Sequence, residues 1–178
     1  MAKLVYGMNV SLDGFVDHDH PAFLPDAALF DHFIGQMRAT SGCLYGRRLY
    51  DLMRYWDDDQ PGWTAAERDF ALAWRAPPKW VVTHGADPLG PNAERVQGDL
   101  AAAVRRIKAD HPGTVEVGGP DLARQLGALG LVDAYQLFLH PVVLGHGTPF
   151  FAGPLPRLRL TATDRIGPEV IRLTYVPA

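Results

Sequence analysis

The stretch Thr114-Val115-Glu116-Val117-Gly118-Gly119-Pro120-Asp121-Leu122-Ala123-Arg124-Gln125-Leu126 constrains the chain most. Thr114 and the two valines alternate with Glu116 as a short strand, and Leu122, Leu126 and Leu129 then recur at helical spacing. The glycines therefore sit at a strand-to-helix turn. A turn without Cβ atoms lets a ligand approach the backbone closely. The first N–H groups of the next helix, at its positive dipole end, favour an anion such as a phosphate. The same pair can equally make a tight connection and nothing more. The rest of the chain decides between these readings.

Residues Lys3 to Ser11 read as a strand with apolar residues on both alternations, which predicts a central strand buried on both faces. Ser11-Leu12-Asp13-Gly14 is a turn, followed by a polar loop with His18, Asp19, His20 and Pro21. That His-x-His pair has no nearby Cys or third spaced His to complete a shell, so no metal is expected. Pro25-Asp26 opens a helix with the apolar stripe Leu29, Phe30, Phe33, Ile34 and Met37. Asp26 and Asp31 lie near its start. Each is a cap or dipole partner or, beside a pocket, a group to anchor a substrate amide or relay a proton.

Cys43-Leu44-Tyr45 reads as a brief strand, and Gly46-Arg47-Arg48-Leu49-Tyr50-Asp51-Leu52-Met53 as a helix entered through glycine. Two arginines on a first turn oppose the helix dipole, so helix stability does not explain them. A phosphate held by guanidinium forks does; a solvated basic pair is the other reading. A helix from about Thr64 stops before Pro77-Pro78, and Lys79 to His84 is the next strand. Its end, Thr83-His84, falls where open α/β sheets meet their ligands. Glu94-Arg95-Val96 is a short strand, and a helix runs from Asp99 to about Lys108. Alternating strands and helices predict a mainly parallel sheet covered by helices. The last third differs. Val132 to Val143 reads as a long apolar strand, Leu144 to Phe151 as a glycine-rich turn, and Arg157 to Asp164 and Val170 to Val176 as strands without a crossover helix, hence antiparallel.

The 178 residues fit one domain, and 47% hydrophobic with 21% charged residues is a globular composition. A net charge of -3 argues against a general nucleic-acid or anionic-membrane surface. The single Cys43 cannot form an intrachain disulfide and reads as a buried thiol. No apolar run approaches a membrane span, and a cytoplasmic protein is expected.

With the glycine turns, the Ser-Leu-Asp-Gly turn and the Leu144-Gly145-His146-Gly147-Thr148-Pro149-Phe150-Phe151 turn in place, the whole chain resembles the dihydrofolate reductase superfamily. More closely, it is similar to the reductase domain of bacterial riboflavin biosynthesis and its stand-alone relatives. The resemblance implies a three-layer α/β/α fold whose central sheet is mostly parallel and ends in antiparallel C-terminal strands. It implies NADPH as cofactor and a reductase that transfers hydride to a small heterocycle or carbonyl substrate. Gly46-Arg47-Arg48 is similar to the family step whose arginine meets the 2′-phosphate, with Leu49 where dihydrofolate reductases usually carry Thr. Thr83-His84 matches the strand end at the adenosine phosphate, and Gly118-Gly119-Pro120-Asp121-Leu122 the turn at the pyrophosphate. Asn9 and Val10 are expected along the nicotinamide. Asp13 and Asp26 are the candidates for substrate orientation or proton relay, and Phe23 and Trp56 for the pocket wall. Homodimer pairing is expected through the terminal strands and the Gly145 to Phe151 turn, with Phe150-Phe151 either a contact or core. A true folate reductase and a nucleotide-binding homodimer without turnover are the alternatives.

Overall fold

The computed structural model describes residues 1–17 and 20–178; His18, and with it the His-x-His pair, lies outside the described residues. Strand β1 (Lys3–Val10) leads through the two-residue strand β2 (Phe15–Val16) to helix α1 (Ala27–Ala39). Then follow β3 (Thr40–Gly46), α2 (Arg47–Met53), α3 (Ala65–Arg75), β4 (Lys79–Val82), β5 (Ala93–Val96) and α4 (Leu100–Asp110). The chain closes with β6 (Thr114–Gly118), α5 (Pro120–Ala128), β7 (Ala134–Leu139), β8 (Thr148–Pro149), β9 (Leu158–Ile166) and β10 (Val170–Pro177).

Local chemistry sets the helix starts. The Asp26 carboxylate accepts from the Leu29 N–H at 2.8 Å and so caps α1. Thr64 and Glu67 exchange bonds in a capping box at α3, and Asp99 accepts from the Ala102 N–H at α4. Pro77-Pro78 then stops α3 from running on.

Eight strands form one sheet in the order β5-β4-β3-β6-β1-β7-β10-β9. The six from β5 to β7 run parallel, and β10 and β9 pair antiparallel at the end. One apolar cluster joins the sheet to α4 and α5; a second joins it to α1, α2 and α3. This is the expected α/β/α layering. Strand β6 serves both faces: Val115 and Val117 enter the first cluster, while Glu116 bonds Gln36 of α1 and Thr40. Cys43 is fully buried, and burial pushes its thiol up to about 12.

Three departures from the sequence reading have physical causes. The strand expected over Val132 to Val143 shortens to β7, because Asp133 turns its Oδ2 to the Leu4 N–H and to Lys108 Nζ, each at 2.6 Å. At its other end Pro141 lacks the N–H that a ladder needs. The brief strand at Cys43-Leu44-Tyr45 is longer, since α1 passes into β3 without a loop. The glycine-rich turn contains β8, which pairs with β2 through Phe15↔Pro149 and Val16↔Thr148. Phe150 is core, its ring 4.5 Å from Tyr6, while Phe151 is 40% exposed.

Candidate active site

Beside the carboxyl ends of β1 and β6, the face covered by α1, α2 and α3 opens into a cavity of about 560 Å³. Phe23, Phe30, Phe33, Leu52, Trp56 and Phe70 supply much of its wall. Trp56 is wedged among aromatic rings, with centroids 4.8 Å from Phe70, 5.0 Å from Tyr55 and 5.1 Å from Trp63. Gly7, Met8 and Asn9 of β1 and Glu116, Val117 and Gly118 of β6 face it from the sheet.

Two polar groups in this wall, Asn9 and Glu116, are held by side-chain partners. His140 is 4% exposed and its Nε2 lies 3.0 Å from Asn9 Oδ1. With Nε2 protonated, it donates to Oδ1 and leaves the Asn9 Nδ2 hydrogens for a ligand. Burial holds the His140 pKa below its ordinary value, with the Asp26 charge opposing, which favours the neutral ring. Glu116 Oε1 accepts from Gln36 Nε2 at 2.7 Å and from Thr40 Oγ1 at 3.0 Å. Among the described residues Oε2 has no hydrogen-bond partner. Burial raises the Glu116 pKa, and the Gln36 and Thr40 bonds oppose that shift. The sequence signal was available: a carboxylate on an inner strand of a helix-covered sheet must find a partner or a cavity.

From the cavity the site continues along the carboxyl ends of β6 and β3, where α5 and α2 begin. The two glycines differ in purpose. A Cβ on Gly118 would stand 2.2 Å from Tyr45 Cδ1 and 2.9 Å from Leu49 Cδ2, so this glycine is required by packing. Gly119 has φ +107°, a conformation that disfavours any L side chain. Its Cβ would lie 3.9 Å from the Gly46 N, which shows how closely the two helix starts approach.

A cationic corner closes this end. Arg47 pairs with Asp51 at 2.7 Å, an i,i+4 contact, and Arg47 Nη1 lies 3.4 Å from the Asp87 carbonyl oxygen. The same oxygen accepts from Arg95 Nη2 at 2.8 Å. Arg95 Nη1 is buried and has no hydrogen-bond partner. Arg48 is exposed and makes no ion pair among the described residues. Arg95 went unread in the sequence, because an arginine in a short edge strand looks solvated.

The structure thus brings Asn9, Phe23, Leu49, Trp56 and Gly118 to the cavity, and sets Gly46, Arg47 and Gly119 beside it. Val10 is fully buried and passes its backbone carbonyl to the His140 N–H, while Leu122 is core. Thr83 is buried, with its hydroxyl accepting from the Gly85 N–H, and His84 is exposed beside it. Pro120 opens α5, and Asp121 is exposed in its first turn.

The two candidate carboxylates lie outside the cavity lining. Asp13 accepts from the Leu144 and Gly145 N–H groups at 3.1 and 2.7 Å, fastening the glycine-rich turn. The Ser11 hydroxyl, together with these amides, holds its carboxyl below the usual range. Asp26 is spent on the α1 cap and reaches the site through its charge on His140. No group of three or more His, Cys, Asp or Glu side chains among the described residues is arranged to hold a metal ion. No described helix is long and apolar enough to cross a membrane.

A mixed eight-stranded sheet between helices, with a crevice across the carboxyl ends of its inner parallel strands, defines a dihydrofolate reductase-like α/β protein. The chain belongs to the RibD C-terminal domain family, whose model matches residues 2–172. It is 26% identical over 183 residues to the uncharacterized Bacillus subtilis (strain 168) protein YyaP, covering 97% of this chain and 94% of that protein. A Shewanella sp. PV-4 protein named for riboflavin biosynthesis shares the fold at TM-score 0.72 and 19% identity, over 100% of this chain and 99% of that one. The Thermotoga maritima diaminohydroxyphosphoribosylaminopyrimidine deaminase/5-amino-6-(5-phosphoribosylamino)uracil reductase matches at TM-score 0.66 and 16% identity. That match covers 99% of this chain and 57% of the bifunctional protein.

Proposed function

We propose that the chain is an NADPH-dependent reductase that delivers hydride to a C=N or C=O carbon of a small heterocyclic or carbonyl substrate. The observation that carries this reading is the cationic corner at the outer end of the crevice. Arg47 and Arg95 converge on one carbonyl oxygen, and Arg95 Nη1 is buried without an acceptor. A buried donor without a partner costs about 1–3 kcal/mol. A ribose 2′-phosphate, which NADPH carries and NADH lacks, offers that acceptor to a guanidinium fork. The donor set fits the cofactor.

In this reading Arg47, Arg48, Arg95, Thr83 and His84 hold the adenosine phosphate end. Gly46, Gly119, Pro120 and Asp121 lie along the pyrophosphate. Asn9, kept in register by His140, orients the nicotinamide amide. The cofactor supplies the hydride when bound. The protein's own share is positioning and exclusion of water by the aromatic wall, and a proton held at the floor of the cavity. Glu116 is suited to hold that proton, because its Oε1 accepts both hydrogen bonds and the neutral acid then carries its proton on Oε2. Isothermal titration tests the cofactor assignment. NADPH binds at least about tenfold more tightly than NADH, and Arg47→Ala removes most of that difference while sparing NADH. Equal affinity for the two nucleotides refutes it.

Pairing of two copies is part of the proposal. The apolar residues Leu160 and Ile171, 48% and 42% exposed on β9 and β10, favour the terminal strands as the contact.

A further inference from the structure

Charge is divided sharply along the crevice. Arginines gather at the α2 end, whereas among the described residues no lysine or arginine lines the cavity. The ionisable side chains that line it are Asp17, His20, Tyr45, Tyr55 and Glu116. Beyond Trp56 the chain continues into Asp57-Asp58-Asp59. Asp57 and Asp59 are matched by Arg54 and Arg75, and Asp58 is exposed without an ion-pair partner among the described residues. A substrate phosphate placed in the cavity would meet aromatic rings and, among the described residues, no lysine or arginine to pair with.

The floor has a different chemistry from the wall. Gln36 and Thr40 both donate to Glu116 Oε1, which fixes the carboxyl group and leaves Oε2 as its free atom. In its protonated form, a carboxyl group fixed beneath flat aromatic walls matches a planar ring that presents a carbonyl on its edge.

We propose that this cavity takes a flat, phosphate-free heterocycle, stacked on the aromatic wall and held at a lactam-type carbonyl by Glu116. The proposal rests on the reductase reading for its cofactor and deepens it by naming the substrate class. It sets the chain apart from a reductase whose substrate carries a phosphoribosyl group, as the name of the Thermotoga maritima protein states for that enzyme. The phosphate-binding arginines then serve the cofactor alone.

Riboflavin and riboflavin 5′-phosphate form a probe pair that differs by one phosphate and shares a planar ring with lactam carbonyls. Binding to the nucleotide-free protein is read from quenching of the flavin emission. Riboflavin is expected to bind at least about tenfold more tightly than its phosphate ester. Leu24→Lys, at an exposed position lining the cavity, narrows that gap by placing a cation there. Glu116→Leu weakens riboflavin binding by about tenfold or more, while Glu116→Gln keeps it, because the amide N–H replaces the acid O–H as donor. A purely structural role for Glu116 predicts instead equal affinities for folded Leu and Gln variants. The proposal is overturned if the phosphate ester binds as well as riboflavin, or if the folded wild-type protein holds neither. NADPH titration of the same preparation separates the two readings. Riboflavin binding without NADPH binding removes the reductase and keeps the cavity preference; NADPH binding with a preference for the phosphorylated flavin does the reverse.

Discussion

Gly118→Ala is the substitution that tests most sharply why the central turn is built from glycine. The added methyl would stand 2.2 and 2.4 Å from Cδ1 and Cε1 of Tyr45 and 2.9 Å from Leu49 Cδ2. Tyr45 cannot swing aside freely: it is 4% exposed, and its hydroxyl accepts from Trp74 Nε1 at 3.2 Å. Overpacking of this kind costs about 1–3 kcal/mol. For a chain of this length each kcal/mol lowers Tm by about 2–4 °C, so the expected fall is about 2–12 °C. Gly46→Ala is the internal control, since its Cβ would meet nothing closer than 3.7 Å, and it should cost under about 1 kcal/mol. Thermal unfolding followed by circular dichroism measures both. If Gly118→Ala melts with Gly46→Ala, Tyr45 packing does not explain the glycine, and close approach of a ligand becomes the better reason.

Arg95→Ala should weaken NADPH by about 10- to 100-fold in titration, the worth of one charge-assisted hydrogen bond, and leave NADH unchanged. Asp133→Ala strands the Leu4 N–H and removes the ion-pair partner of Lys108; chemical denaturation should report a loss of about 1–3 kcal/mol. His140 supplies a pH test. Burial sets its folded pKa below the unfolded value of 6.5, so the unfolded state takes up the proton first. Its contribution to stability is therefore complete above pH 6.5 and is lost as pH falls through the folded pKa. His140→Gln should flatten the stability profile below that pH, with a residual slope from His32, whose pKa burial also lowers. An unchanged profile would remove His140 as a neutral buried group.

Much of the frame was legible because local signals agreed with the global fold. The double-sided apolar pattern of Lys3 to Ser11 marked β1 as an inner strand, and Pro25-Asp26 marked the start of α1. The Gly-Gly unit marked a strand edge beside a helix start, although Gly118 proved to be glycine for the sake of Tyr45, far earlier in the chain. Such contacts have no signature in the local sequence. The pairing of β2 with β8 escaped for the same reason, since two-residue strands carry no periodicity. In the candidate site, aromatic residues at helical spacing were easy to find, whereas the groups that tune it were not. His140 acts through Asn9 and Glu116 is set by Gln36, and both pairings depend on long-range packing. Asp13 and Asp26 attracted attention as carboxylates near turns, which is also where carboxylates most often serve as turn and cap acceptors.

The most direct test of the central claim is amide chemical-shift mapping of the labelled protein during titration with NADPH. A cofactor running from the cationic corner to the cavity should move the amides of Gly46 to Leu49, Thr83 to Gly85, Arg95, Gly118, Gly119, Asp121 and Leu122, together with Asn9. Shifts confined to other surfaces, or none at saturating NADPH, would contradict it.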